Sequence, residues 1–185
     1  MRTLLPKAPP GLTVLVLVAG MLGGGLSAQN FVSPPHFRVA EAPSSETRPF
    51  TTGIVSFVYQ QVHDAVPAGT YRGLAFRRDG QRRAMPTRSM NIELWMSSAR
   101  TTSTSPGRTA AANHGANLQR VRPSSMLLNL PATADRPRQQ LPAPFEYPVP
   151  FAVPFTHRGG ALAWEIRVLA RSAGGAIQLD AVRGP

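Results

Sequence analysis

From Gly53 onward, hydrophobic positions alternate with polar ones in short runs, each stopped by Gly, Pro, Asn or Asp. No window carries the 3.6-residue stripe of an amphipathic helix, so the pattern predicts strands covered on one face. The clearest is Ala161–Leu169, with Leu162, Trp164, Ile166 and Val168 inward and Glu165 and Arg167 outward. In Met90–Ser98, Met90, Ile92, Leu94 and Met96 form one face, and Asn91, Glu93 and Trp95 the other. Gly53–Val62 and Tyr71–Arg77 are further strands. In the second, Leu74 and Phe76 point one way and Tyr71, Gly73 and Ala75 the other. Asp79-Gly80 closes that strand with a turn.

Residues 99–112 are a polar loop, and Leu118–Val121 and Met126–Leu130 are short strands. Phe145–Phe155 interleaves three Pro with aromatics, which suits an edge or bulged strand because Pro donates nothing to a ladder. Ala176–Val182 follows Gly174-Gly175, with Ile177 and Leu179 inward, and predicts a C-terminal hairpin. The expectation is an all-β, antiparallel two-layer β-sandwich of jelly-roll-like form.

The N-terminus reads differently. Arg2 and Lys7 precede an apolar stretch from Leu12 to Leu22, and Gly23-Gly24-Gly25-Leu26-Ser27-Ala28 follows. That is the layout of a cleaved secretory signal peptide over residues 1–28, too short in its apolar part to span a bilayer. An extended Pro-rich leader is expected over 29–52 and the sandwich domain over 53–185. Processing leaves a soluble chain with no membrane span, secreted to the periplasm, cell envelope or extracellular space.

Composition narrows the chemistry. With no Cys in 185 residues there is no disulfide framework, thiol nucleophile, Cys-based zinc site or iron–sulfur cluster. Removing Arg2 and Lys7 with the leader leaves 18 Arg and no Lys against 9 acids, a basic protein of net charge near +9. Arg72, Arg77, Arg78, Arg82, Arg83 and Arg88 gather around a strand end and turn, but lack the interleaved aromatics that stack bases. They read as a solvated basic loop, and nucleic acid is not an expected partner. A glycan or an anionic envelope polymer is the candidate partner.

The four His (His36, His63, His114, His157) have no H-x-H or H-E-x-x-H spacing, and no cofactor or metal is expected. Asp64 reads as a turn residue and Asn113-His114-Gly115 as a turn. No G-x-S-x-G elbow occurs. Glu93 and Glu165 both fall on outward faces, yet no paired-carboxylate strand motif is present, so a jelly-roll glycoside hydrolase is the weaker alternative. Tyr71 and Trp95 on the non-core face, with Glu93 beside Trp95, are the candidate ligand-binding residues of a carbohydrate-binding module. The leading expectation is a secreted, non-enzymatic structural or binding module.

Several segments together resemble a known family. They are Tyr59-Gln60-Gln61-Val62, Pro67-Ala68-Gly69, Gly73 to Gly80, Asn91 to Ser98, Asn113-His114-Gly115, Pro150-Phe151 through Pro154-Phe155, and Leu162 to Glu165. They resemble an exported bacterial β-sandwich domain of uncharacterised secreted proteins, some of which carry PEP-CTERM-type sorting tails. The resemblance implies an extracytoplasmic sandwich and brings no catalytic residues with it. The chain departs from that family in having no Pro-Glu-Pro motif with an apolar helix and basic tail, and relatives often continue beyond the position of Asp180-Ala181-Val182.

Overall fold

The computed structural model describes residues 11–13, 15–19, 30–50, 57–79, 84–135, 142–171 and 176–183. In chain order the strands are β1 (Gly11–Thr13), β2 (Leu15–Ala19), β3 (Asn30–Ser33), β4 (Ser44–Glu46), β5 (Phe57–Val66) and β6 (Gly69–Phe76). Then come β7 (Arg88–Ser98), the single turn α1 (Ala110–Asn113), β8 (Gln119–Arg122), β9 (Leu127–Leu130), β10 (Tyr147–His157), β11 (Gly160–Arg171) and β12 (Leu179–Arg183). A short 3-10 helix covers Pro35–Arg38.

Among the described residues all strand pairings are antiparallel and make three sheets. The largest runs β5-β11-β7-β8, with β9 also on β7; a second runs β10-β6-β2-β3; a third, β1-β12-β4, completes the set. The two larger sheets bury their facing sides in one core, an all-β sandwich. β7 supplies Met90, Ile92, Leu94 and Met96, and β11 supplies Leu162, Trp164, Ile166 and Val168, all with no exposed surface. The period-two reading of these strands therefore holds residue for residue, because both are central strands with one face on the core. Trp164 is the centre of an aromatic group, with the rings of Tyr59, His63 and Phe76 at 5.7, 6.2 and 5.6 Å.

The Pro-rich segment is, as expected, an edge strand with a bulge. β10 borders the second sheet, and Pro148, Pro150 and Pro154 on it are exposed. Its register passes from Pro150 opposite Gly73 to Phe155 opposite Tyr71, so residues 151–154 stand against Arg72 alone. Prolines and a bulge on an outer strand leave no continuous row of donors for a foreign strand to pair with.

Four expectations are corrected. First, Tyr71 is core, 2% exposed, and its hydroxyl donates to the Pro67 carbonyl at 2.8 Å. Both neighbours of β6 skip Arg72, and this bulge reverses the alternation between Gly73 and Tyr71. Second, β12 makes no hairpin with β11; it pairs with β4 and β1, while Ile177 and Leu179 do point inward. Third, Arg77, Arg78 and Arg88 are buried rather than solvated. Arg77 donates to the Phe37 carbonyl (2.6 Å) and to Asp180 (3.3 Å), Arg78 to Thr133 (3.0 Å) and Ala134 (2.7 Å), and Arg88 to the Phe50 carbonyl (3.1 Å). Each of these three guanidinium groups ties a separate segment to the sandwich, so this part of the basic cluster is an internal fastening; Arg72 is half-buried, and Arg82 and Arg83 lie outside the described residues. Fourth, Glu165 faces outward from the core but is only 2% exposed, for a reason given below.

The segment expected as an extended leader carries β3, the 3-10 helix and β4, and its Phe37 and Phe50 are buried. Most of residues 1–28 lie outside the described residues; of the apolar run, Leu15–Ala19 is β2, between β6 and β3.

Candidate functional site

The outer face of the largest sheet gathers the chain's polar chemistry. Alternation puts Glu93, Trp95 and Ser97 of β7 on that face, and the register sets Glu165 of β11 beside Trp95 and Arg167 beside Glu93. Arg120 of β8 flanks Trp95 on the other side.

Trp95 is clamped. Its indole Nε1 donates to Glu93 Oε2 at 3.3 Å, and the guanidinium carbons of Arg167 and Arg120 stand 4.8 and 5.6 Å from its ring centre. Arg120 donates in turn to Glu93 Oε1 at 3.2 Å. The exposed-platform expectation for Trp95 is thus met only in part: the ring lies on the outer face, but two cations of the same protein stack on it. Arg167 also donates through Nε to Glu165 Oε1 at 2.5 Å and approaches Glu93 Oε2 at 4.0 Å. A guanidinium bridges the two carboxylates that a glycosidase would need to keep open for a sugar.

Further along the same face a second constellation is fully enclosed. Ser97 Oγ lies 2.7 Å from His114 Nδ1, and His114 Nε2 lies 3.2 Å from Glu165 Oε2. His114 Nε2–H donates to the carboxylate, and Ser97 Oγ and Nδ1 share the other bond. Burial pushes the Glu165 carboxyl up, but the hydrogen bonds from His114 and then Arg167, with their charge, outweigh it and hold the group below its ordinary range. Ser97, His114 and Glu165 are 0%, 5% and 2% exposed. The order Ser–His–Glu is that of a nucleophile, base and orienting acid. Here the Gly115 N–H also occupies Ser97 Oγ at 3.2 Å, and no surface of the serine is open to a substrate.

The loop after β7 does the enclosing. Asn113 holds it: Oδ1 accepts from Thr101 Oγ1 (2.7 Å) and the Gly107 N–H (2.6 Å), and Nδ2 donates to Gln60 Oε1 (2.7 Å) on β5. Gln60 returns a bond to the Ala110 carbonyl at 3.0 Å, and Asp64, expected as a turn residue, accepts from the Ser103 N–H and hydroxyl. Gly115 lets the chain come back against β7, where a Cβ would stand 2.6 Å from the Ser98 carbonyl oxygen. Asn113-His114-Gly115 is therefore a clasp: one residue gathers the loop, the next plugs into the sheet face, and the third permits the contact. Sequence reasoning missed Ser97, Gln60 and the His114–Glu165 pair. The available signal was alternation, which puts residues 93, 95, 97 and 165 on one face beside a polar loop of ample length to fold over them.

Among the described residues no group of three or more His, Asp or Glu is placed to hold a metal ion, and no helix is long and apolar enough to cross a membrane. Compared with protein-family models, curated proteins and solved structures, the chain matches none.

Proposed function

We propose that the protein is an exported, non-enzymatic module of the cell envelope or extracellular space, one that holds or binds rather than transforms. The observation that carries this reading is the burial of Ser97 and Glu165, at 0% and 2% exposure, with their side-chain oxygens taken up by His114 and Gly115 of the 99–115 loop and by Arg167. Catalysis needs a reacting atom that a substrate can reach. Export is supported by the basic, apolar and small-residue succession of residues 1–28.

One observation favours a second reading, a carbohydrate-binding module. Arg120 and Arg167, whose side chains are 49% and 41% exposed, need only swing aside to offer the Trp95 ring and two cations to an acidic sugar polymer. Tyr71, in the core of the other sheet, takes no part.

The test is a panel of neutral and acidic glycans, scored for retention and for hydrolysis. The structural reading expects neither. Retention lost in Trp95→Ala promotes the binding module, and turnover lost in Glu93→Gln or Glu165→Gln overturns the non-enzymatic reading altogether.

A further inference from the structure

We propose that processing at export turns the place of β2 into a slot that accepts an extended aliphatic strand from a partner protein. The inference rests on the export reading above.

β2 is an inner strand, not a border. On one side Leu15, Val16, Leu17 and Val18 pair with Phe76, Ala75, Leu74 and Gly73 of β6; on the other they pair with Ser33, Val32, Phe31 and Asn30 of β3. A cut after Ala28 takes β2 away and leaves both flanking strands in the product. β6 is then bare along one edge, its other edge being covered by β10. The bared strand is no surface ribbon, because Tyr71, Leu74 and Phe76 belong to the main core. An edge of this kind is the template on which β-augmentation works: backbone hydrogen bonds supply affinity, and alternate side chains supply specificity.

The floor of the slot carries a second observation. The Leu15 position pairs with both Phe76 and Ser33. Phe76 packs edge-on against Trp164, and Ser33 Oγ lies 2.8 Å from His63 Nδ1. Trp164 and His63 stack on each other at 6.2 Å. Phe76 and Ser33, the two register partners of position 15, therefore lie across the sandwich from the pair Trp164–His63. Trp164 Nε1 and His63 Nε2 are both fully buried and have no hydrogen-bond partner, whereas a buried polar atom of a folded protein ordinarily has one. With Ser33 donating to Nδ1, both orphaned nitrogens are N–H donors.

Together these define the guest: five or more extended residues, antiparallel to β6, aliphatic like Leu15-Val16-Leu17-Val18-Ala19, with a hydroxyl or amide oxygen opposite Phe76. The oxygen would answer donors that an all-aliphatic strand leaves unanswered.

The experiment starts with the exported protein, its N-terminus read by mass spectrometry. Its probe is a peptide of residues 13–19 flanked by lysines. The control has Pro at positions 16 and 17, since successive N–H groups of a strand face opposite edges and one of these two must face β6. The chain has two Trp, so Trp95→Phe leaves Trp164 as the reporter under the slot. In the processed protein, those amides of residues 71–76 that face away from β10 should exchange fast, slow about tenfold or more with the peptide, and not respond to the control. Trp164 emission should shift to the blue in parallel, and the same peptide with Ser in place of Leu15 should bind tighter than its Leu counterpart.

Recovery of residues 1–28 on the exported protein overturns the export reading and the slot together. A processed monomer with residues 71–76 already protected, concentration-dependent self-association through that edge, or no response to the peptide overturns the slot alone. If the processed chain folds only with peptide present, that supports the slot. A full chain folded first and then cut at a protease site placed at Gly23–Gly25 gives the complementary reading: its excised strand should exchange for labelled peptide, and permanent retention overturns the proposal.

Discussion

His114 Nε2 stands 3.2 Å from Glu165 Oε2, a bond between residues 51 apart in sequence that closes the 99–115 loop over the outer face of the sandwich. Glu165 thereby becomes as enclosed as its neighbour Trp164, although the two point to opposite sides of β11. Trp164→Ala should cost about 3–5 kcal/mol from the cavity it leaves. Glu165→Ala should cost about 1–3 kcal/mol, because the His114 N–H loses its acceptor inside the protein. Glu93→Ala, whose partners are half-exposed arginines and the partly buried Trp95 indole N–H, should cost about 1 kcal/mol. Urea unfolding of the three variants checks the order. The Glu165 carboxyl is held low, so its share of stability is present above the ordinary carboxylate range and lost as pH falls through its folded value.

Two buried groups should give opposite pH slopes in nearly the same window. Burial lowers the His63 pKa from 6.5 to about 4, so its contribution is complete above pH 6.5 and is lost as pH falls toward 4. Burial, then Glu41, raises Asp180 from 3.8 to about 6, so its contribution is complete below 3.8 and is lost as pH rises through 6. Relative to wild type, His63→Gln should flatten the acid-side loss, and Asp180→Asn should remove the loss between about pH 4 and 6. Thermal unfolding from pH 4 to 7 resolves them, each full change amounting to about 3 kcal/mol.

Gly115→Ala should destabilise by about 1–3 kcal/mol, since the new methyl meets backbone rather than a side chain that could move. The Ser98 carbonyl it would strike also accepts the Gly115 N–H at 2.8 Å, so relief by shifting the chain costs that bond. Equilibrium unfolding of Gly115→Ala against wild type measures it.

Asn113→Ala should loosen the loop before the sandwich. Arg100 and Arg108 are exposed on it, and limited trypsin digestion should cut there faster in the variant while the core strands stay protected. An unchanged cutting rate would mean that the bonds from Gln60 and Asp64 hold the loop without Asn113.

Alternation alone located the inner faces of β7 and β11, and even the edge position of β10, because those strands obey a local rule: one face meets apolar surface, and proline cannot sit where a donor is needed. Tyr71 escaped the same rule through the bulge at Arg72, which is defined by what β10 and β2 pair with and has no marker in β6 itself. The arginines of the 77–88 region looked solvated for a similar reason. Their acceptors are carbonyls of residues 37, 50 and 134, which come near only when distant segments pack.

What the sequence determined by itself was the strand content, the apolar faces and the polar loop, all properties of neighbours along the chain. Tertiary structure alone decided that β12 joins β4 and β1, and that Trp95 is covered by Arg120 and Arg167. It alone made Ser97, His114 and Glu165 a buried clasp instead of a turn and a surface acid. The physical reason is that burial of a polar group depends on partners contributed from across the fold. Hydrophobic alternation reports only which side of its own strand a residue occupies.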